Sequence, residues 1–551
     1  MSLFLRFALL AFALAASAAG EARAERKTVC TITINSDDER ETLRRNLPED
    51  EYRFVELVER GHPDWFASAC RSGLHCDVLV VSGHFDDGTE FYSDRPGARE
   101  SLPVATLEQA ACSASCSGLF AGLKEVYLFG CNTLEPAPSR LASAEIARSL
   151  VRSGHSAADA DRLSRELAEL HAESNRDRMR HIFKDVPVIY GFSAKAPLGA
   201  RAGPALERYF RSGPDDSFGT GRTSARLLAT LAPASLTATR GVSDSDPDAG
   251  VRGDMCQLVD EAPGSAHRIE FVHRLLGREM AEVRMLLDRV EAAVASLSEA
   301  DRARPEVSTA LAEIARDADA RARYLAFARD ADEASTRARM TRLAGALGWL
   351  SPAEVRAELQ SMFAARLAAN DLGVADVDLA CSLNEDGSLD LASGRAVAGH
   401  VPPSNVASAA VLACLGDAAA RPRVLHALAA GDGPEVAIAQ TYLRHRPIAD
   451  AAELREVAAA VLHMKMAEAQ VRALDALSGY RFSDPETLLG LTELFALARS
   501  IDVQRAVAGV LIRSDYRAIS TPALARKLQA QRLKSPDGAD VIDVLIRRLA
   551  S

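Results

Sequence analysis

The sequence predicts an α/β domain, with a parallel-rich sheet covered by helices on both faces, followed by an all-α region of repeated helices. Three observations carry this. Short β-branched or aromatic runs alternate with helix-like stretches from about residue 27 to 240, the pattern of strands joined by crossover helices. Strand signals stop beyond residue 243, where apolar residues recur at spacings of three and four. In the last third, similar helical segments return every 33–34 residues.

The first 24 residues read as a cleaved signal peptide. Arg6 precedes an apolar stretch from Phe7 to Ala19, and two small-residue cleavage patterns follow, Ala16-Ser17-Ala18 and Ala22-Arg23-Ala24. The stretch is too short for a comfortable membrane span, and no Cys follows it directly. The expected location is periplasmic or secreted, with no membrane association after cleavage.

Residues 25–242 form the expected α/β domain. Its strand-like runs are Thr28–Asn35, Tyr52–Val58, Val78–Ser82, Val126–Phe129 and Val186–Phe192. Helix-like stretches lie between them at Asp37–Leu47, Pro63–Arg71, Leu107–Leu123 and Ser139–Arg152, and a charged segment, Ala157–Phe183, reads as an insertion or long crossover. The acidic run SDSDPDAGVRG, residues 243–253, opens an expected linker spanning 243–265. Residues 266–370 are helical in pattern, as in Val283, Leu286, Leu287 and Val290. Residues 371–551 carry the repeat: EVAIAQTYL (435–443), AQVRALDAL (469–477) and DVQRAVAGVL (502–511) align on Ala439, Ala473 and Ala506. Paired helices that cannot bury an apolar face alone must stack on their neighbours. The region resembles a short HEAT-like α-solenoid, which implies a surface for a protein partner.

Composition narrows the class. A chain of 551 residues exceeds one core. A net charge of −11 argues against a nucleic-acid partner. Nine cysteines in an oxidising compartment leave at least one thiol unpaired, and Cys131, which alone ends a buried strand, is the natural odd one. Cys70/Cys76 and Cys112/Cys116 are near enough to pair locally, which leaves Cys381/Cys414 and Cys30/Cys256, although eight cysteines permit 105 connectivities.

Two runs end in residues capable of chemistry: VLVVSG leads into His84, and VYLFG leads into Cys131. As parallel strands they deliver both to the C-terminal sheet edge, where open α/β sheets place their sites. A His and a Cys there form a nucleophile–base pair. The surroundings, SGHFDDG (82–88) and FGCNTL (129–134), resemble the caspase-like (clan CD) cysteine peptidases, most closely their CHAT-type branch, over about residues 27–240. The resemblance implies Cys131 as nucleophile, His84 as its assistant, and backbone N–H groups of Phe85 and Cys131 as the oxyanion hole. It departs from the family at Phe85, where the family has Gly, so that a bulky side chain is expected to narrow the site or shift the main chain. Ser193 and Lys195 follow the fifth strand, where family members build part of the specificity pocket. Lys195 there would favour an acidic substrate residue and Asp86 a basic one; the same residues are also what an exposed loop and a polar turn contain. The histidines show no metal-ligand spacing, and the acid–Gly segment at 384–390 reads as a turn rather than a calcium loop. The expected function is peptide-bond hydrolysis on a protein or peptide substrate, without metal or cofactor. The alternative is an inactive peptidase-fold scaffold acting as a periplasmic interaction module.

Overall fold

A computed structural model describes residues 26–85, 88–93, 99–137, 147–148, 150–151, 154–160, 162–163, 174–213, 217–389, 405–534 and 540–550. The signal segment 1–24, Asp86, and most of the expected Ser139–Arg152 helix lie outside them. The chain divides into two compact units, the first ending at Phe327 and the second beginning at Ala328.

The first unit is built on a six-stranded sheet. Its strands are β1 (Lys27–Thr33), β2 (Tyr52–Glu56), β3 (Val78–Ser82), β6 (Glu125–Phe129), β7 (Val188–Phe192) and β8 (Leu236–Thr239), in the order β2-β1-β3-β6-β7-β8. The first five are mutually parallel, and β8 runs antiparallel to β7 at the edge. A two-stranded hairpin-like pair, β4 (Glu90–Phe91) and β5 (Leu102–Pro103), sits apart. The sequence showed no sign of β8 because LTAT is short and half-buried, without an apolar run.

Side chains alternate strictly between the faces, as the strand period of two requires. Val80, Tyr127 and Tyr190 enter one core, under helices α1 (Asp38–Asn46), α6 (Gly199–Arg211) and α7 (Ala225–Leu231). Leu79, Val81, Val126, Leu128 and Ile189 enter the other, under α2 (Trp65–Arg71), α3 (Val104–Cys112), the short α4 (Ser117–Phe120) and α5 (Asn175–Ile182). Both faces are therefore covered, which is why the central strands read as continuous apolar runs. Tyr127 stacks on Tyr190 at 4.8 Å and on Phe218 at 5.4 Å.

The expected linker is instead folded. Its acidic residues are taken up by bases: Arg180 pairs with Asp248 at 2.8 Å, Arg240 with Asp246 at 3.2 Å, and Lys184 with Asp244 at 2.7 Å. Helix α8 (Ala249–Val259) follows, buries Met255 and Leu258, and is bonded to α3 through Cys112–Cys256. Helices α9 (Ser265–Leu276), α10 (Met280–Met285) and α11 (Leu287–Ala295) continue the unit. Arg289 of α11 reaches Glu108 of α3 at 2.8 Å, and Arg178 of α5 reaches the same carboxylate at 3.2 Å.

The disulfides are Cys30–Cys76, Cys70–Cys116, Cys112–Cys256 and Cys381–Cys414. Cys381/Cys414 and the free Cys131 agree with the sequence reading. The local pairs Cys70/Cys76 and Cys112/Cys116, and with them Cys30/Cys256, are corrected. Cys112 ends α3 facing α8, whereas Cys116 lies one turn further on against α2; the chain reverses after α2 and brings Cys76 beside β1. Closeness in sequence does not set the direction of a side chain.

The second unit is helical. Three helices, Gly433–His445, Ala467–Leu477 and Ile501–Arg513, pack side by side in one layer. Arg421–Ala430, Ala451–Leu462, Pro485–Leu497 and Pro522–Gln531 form the other. The period is 34 residues throughout: Gln470 donates to the Val461 carbonyl at 3.0 Å, and Gln504, 34 residues on, donates to the Phe495 carbonyl at 3.0 Å. Ala473 is thus equivalent to Val507, not Ala506, and both are fully buried. Sequence alone gives 33 residues for the second interval because Ala506, next to Val507, matches Ala473 in residue type. The acid–Gly segment is a turn held by Asn384, whose side chain accepts from Leu389 N–H at 2.7 Å and donates to the Cys414 carbonyl at 2.8 Å. Among the described residues, no helix is long and apolar enough to cross a membrane.

Candidate functional site

The chain runs from β1 to β2 on one side of the sheet and then to β3 on the other, so the β1/β3 boundary is a topological switch point, where open α/β sheets bind ligands. A small cleft of about 40 Å³ opens at this edge. It is lined by the β1–α1 turn (Asn35, Ser36, Glu39), the end of β3 (Ser82, Gly83, His84), the end of β6 (Phe129, Gly130, Cys131) and the loop entering α6 (Ala196–Gly199). His84 and Cys131 are therefore brought to one cleft, each half-buried.

The local sequence explains how each is held. His84 exchanges backbone hydrogen bonds with Tyr92 at 2.9 and 3.0 Å, which fixes it just beyond β3, and its ring lies 5.4 Å from that of Tyr92. Cys131 follows Gly130, where a Cβ would stand 2.8 Å from the Phe85 Cβ and 3.0 Å from the Gly83 carbonyl; only glycine permits that approach. Asn132 takes the left-handed conformation at φ 59°, and its N–H donates to the Ala194 carbonyl at 2.8 Å. Thr133 is buried, donates to the Gly130 carbonyl at 3.2 Å, and accepts from Phe192 N–H at 3.0 Å. The turn bearing the thiol is thus tied to β7 on one side and to β6 on the other. At the cleft's far wall, a Cβ on Gly199 would collide with Ser36, so glycine there lets α6 close against the β1–α1 turn.

Phe85 does not project into the cleft. It is 0% exposed and packs in the core beneath the sheet, its ring 4.5 Å from Phe91. Ser193 prolongs the β7–β8 ladder, its N–H and hydroxyl both donating to the Ser235 carbonyl at 3.1 and 3.3 Å. Lys195 is exposed, and neither it nor Ser193 lines the cleft, which takes Ala196–Gly199 from this loop instead.

Sequence reasoning missed Glu39. It sits in the first turn of α1, whose acidic N-terminal and basic C-terminal turns match the helix dipole, and so reads as a solvated capping residue. The fold buries it at 2% exposure and gives its carboxylate the Ser82 hydroxyl at 3.0 Å. Burial pushes its pKa up to about 7, against the partial relief of its backbone and Ser82 hydrogen bonds. No sequence signal marks it, because its burial comes from facing the end of β3, 43 residues on, where it meets Ser82.

Comparison of the chain with protein-family models, with curated proteins and with solved structures finds no match for it.

Proposed function

We propose that the chain is an exported, caspase-like cysteine peptidase that hydrolyses peptide bonds through Cys131 and His84. The observation that carries this reading is that the free thiol and a histidine from a neighbouring strand line one cleft at the switch point of the sheet. In the reaction the Cys131 thiolate attacks the substrate carbonyl carbon. The C–N bond then breaks as protonated His84 gives its proton to the leaving amine. The resulting thioester is hydrolysed by a water whose proton His84 takes; the C–S bond breaks, the acid is released, and the Cys131 thiolate and protonated His84 are restored. The oxyanion needs fixed N–H donors. The N–H of half-buried Cys131 is the donor next to the open cleft, while Phe85 is covered and serves only if the main chain after His84 moves.

Four disulfides support export to an oxidising compartment, which here means the periplasm or beyond. The two-layer helical unit supports the HEAT-like reading and a role in holding a protein substrate or partner. No cofactor enters the scheme. The test is labelling of Cys131 by iodoacetamide and by peptidyl acyloxymethyl ketones. Labelling that falls at least tenfold in His84→Ala is expected; equal labelling of both proteins, or of neither, removes the dyad.

A second reading, the inactive scaffold, is favoured by a groove of about 630 Å³ between Ala451–Leu462 and Pro485–Leu497. Leu489 and Leu497 are 49% and 79% exposed there, beside Glu486 and Glu493. On that reading a Cys131→Ala chain complements loss of the wild-type chain fully; on the peptidase reading it does not.

A further inference from the structure

Glu39 is a carboxyl that the hydrolytic scheme leaves without a task, yet it lines the same cleft as the thiol and the imidazole. Among the described residues it has no cationic partner: the neighbouring Arg40 is committed to Glu56 at 2.8 Å and to Glu41 at 2.9 Å. The one side-chain donor it receives from the sheet is neutral, the Ser82 hydroxyl at 3.0 Å. A carboxylate taken out of water without a cation is costly, and a ligand that brings the cation relieves that cost.

We infer that Glu39 sets the substrate preference, receiving the ammonium group of a lysine side chain on the acyl side of the bond that Cys131 attacks. This rests on the reading of Cys131 as the nucleophile and deepens it. Three features of the cleft bear on the choice of ligand. The exposed Lys195, which would have repelled a basic group, lies outside the lining, so the cleft presents one buried acid and no base other than His84. The other polar side chains near Glu39, those of Asn35, Ser36 and Ser82, are neutral and suit the hydrogens of an ammonium. The volume of about 40 Å³ exceeds what a single water needs, so the cleft admits a charged side-chain head such as an ammonium.

Ionisation of Glu39 then couples to binding. The titratable and charged groups around it are Asp38 beside it on α1 and His84 and Cys131 across the cleft, whereas Glu207 and Arg208 of α6 lie with Asp38, Thr42 and Arg45 on another side of α1. Asp38 adds to the effect of burial in raising the carboxyl, which ordinarily titrates near 4.5, to about 7. The carboxylate fraction, and with it affinity for an ammonium, rises about tenfold between pH 6 and pH 8.

The experiment uses the full chain carrying Cys131→Ala, so that binding is read without turnover. Dye-labelled Ala-Ala-Lys amide and Ala-Ala-norleucine amide are titrated at pH 6 and pH 8 by fluorescence anisotropy. The lysine peptide is expected to bind about tenfold more tightly at pH 8, to lose most of that advantage at pH 6, and to lose it at both pH values in Glu39→Gln. Equal binding of the two peptides at pH 8, no binding of either, or a lysine preference that survives Glu39→Gln would overturn the inference. The pH comparison leaves position 39 unaltered and so does not depend on that variant folding. Lysine preference without probe labelling of Cys131 in the unsubstituted chain would sink the peptidase reading and leave the site standing; labelling without preference would do the reverse.

Discussion

The Ser82 hydroxyl donates to the Glu39 carboxylate at 3.0 Å across the β1/β3 switch point, joining the strand that presents His84 to the helix that follows β1. Burial of this acid makes stability depend on pH with a definite sign. Its carboxyl titrates near 7 in the fold and near 4.5 in an unfolded chain, so the folded state holds the proton more tightly. Its favourable contribution is fully present below pH 4.5 and is lost as pH rises through 7. The gap corresponds to about 3 kcal/mol. Glu39→Gln, which stays neutral, is expected to match the natural chain at pH 4.5 and to exceed it in stability by up to about 3 kcal/mol at pH 8. Urea unfolding followed by Trp65 fluorescence, in a Trp349→Phe background, reads the first unit alone, since these are the two tryptophans. A constant difference across pH would contradict the burial argument.

Glu108 holds a different kind of buried charge, one that is fully paired. Arg289 at 2.8 Å and Arg178 at 3.2 Å meet it where α3, α5 and α11 converge. Removing the acid takes away the carboxylate that both guanidiniums share, Arg289 among them with 9% side-chain exposure. Glu108→Ala is expected to cost about 3–5 kcal/mol in the same Trp65 assay. A double change, Glu108→Leu with Arg289→Met, is expected to recover more than half of that, because an apolar pair of similar volume spares both desolvation costs. Failure to recover would mean that Arg178 carries most of the penalty.

In the helical unit the comparable position is neutral. Gln504 is 0% exposed; its amide donates to the carbonyls of Phe495 at 3.0 Å and Gln531 at 2.9 Å, and accepts from Leu533 N–H at 2.9 Å. Gln504→Leu fills the same space but strands three backbone groups, and is expected to cost about 3 kcal/mol. Gln470, its equivalent one period earlier, bonds the Val461 carbonyl at 3.0 Å and makes only a long second contact, at 3.5 Å to Leu462. Gln470→Leu is therefore expected to cost less. Trp349 fluorescence in a Trp65→Phe background reports this unit.

What was legible in the sequence divides along physical lines. Strands such as Val78–Ser82 and Glu125–Phe129 were readable because burial on both faces demands unbroken apolar runs. β8 was not, since a half-exposed edge strand of four residues makes no such demand. The delivery of His84 and Cys131 to one edge followed from parallel strand direction alone. Glu39 did not follow, because its burial is a tertiary result of its facing the end of β3, where its carboxylate meets Ser82. Disulfide partners were misjudged for the same reason. Cys70 and Cys76 are six residues apart, yet each bonds a cysteine 46 residues away, because helix and strand directions decide where a sulfur points. The acidic run at 243–253 looked like a linker only because its arginine and lysine partners, Arg180, Lys184 and Arg240, are not contiguous with it.

Phe85 tests how far the site depends on its departure from the resembling family. The side chain was expected to crowd the cleft, and it instead fills the core against Phe91 at 4.5 Å, with Gly130 pressed on its Cβ. Phe85→Gly, the residue of the family pattern, should therefore open a cavity beneath the sheet and leave the cleft lining as it is. The expected cost is about 3–5 kcal/mol, the range for deleting a buried aromatic ring, with a further increment from the freed main chain. Phe85→Leu should cost less than half as much. Under conditions where all three proteins remain folded, the rate of Cys131 alkylation by iodoacetamide is expected to agree within about twofold between the natural chain and Phe85→Leu, a factor worth only about 0.4 kcal/mol of activation energy. A tenfold faster reaction in Phe85→Gly, at equal fraction folded, would instead mean that the main chain after His84 moves to expose the thiol. In that case the N–H of residue 85 becomes available to an oxyanion, and the phenylalanine is a brake on the site as well as part of its foundation.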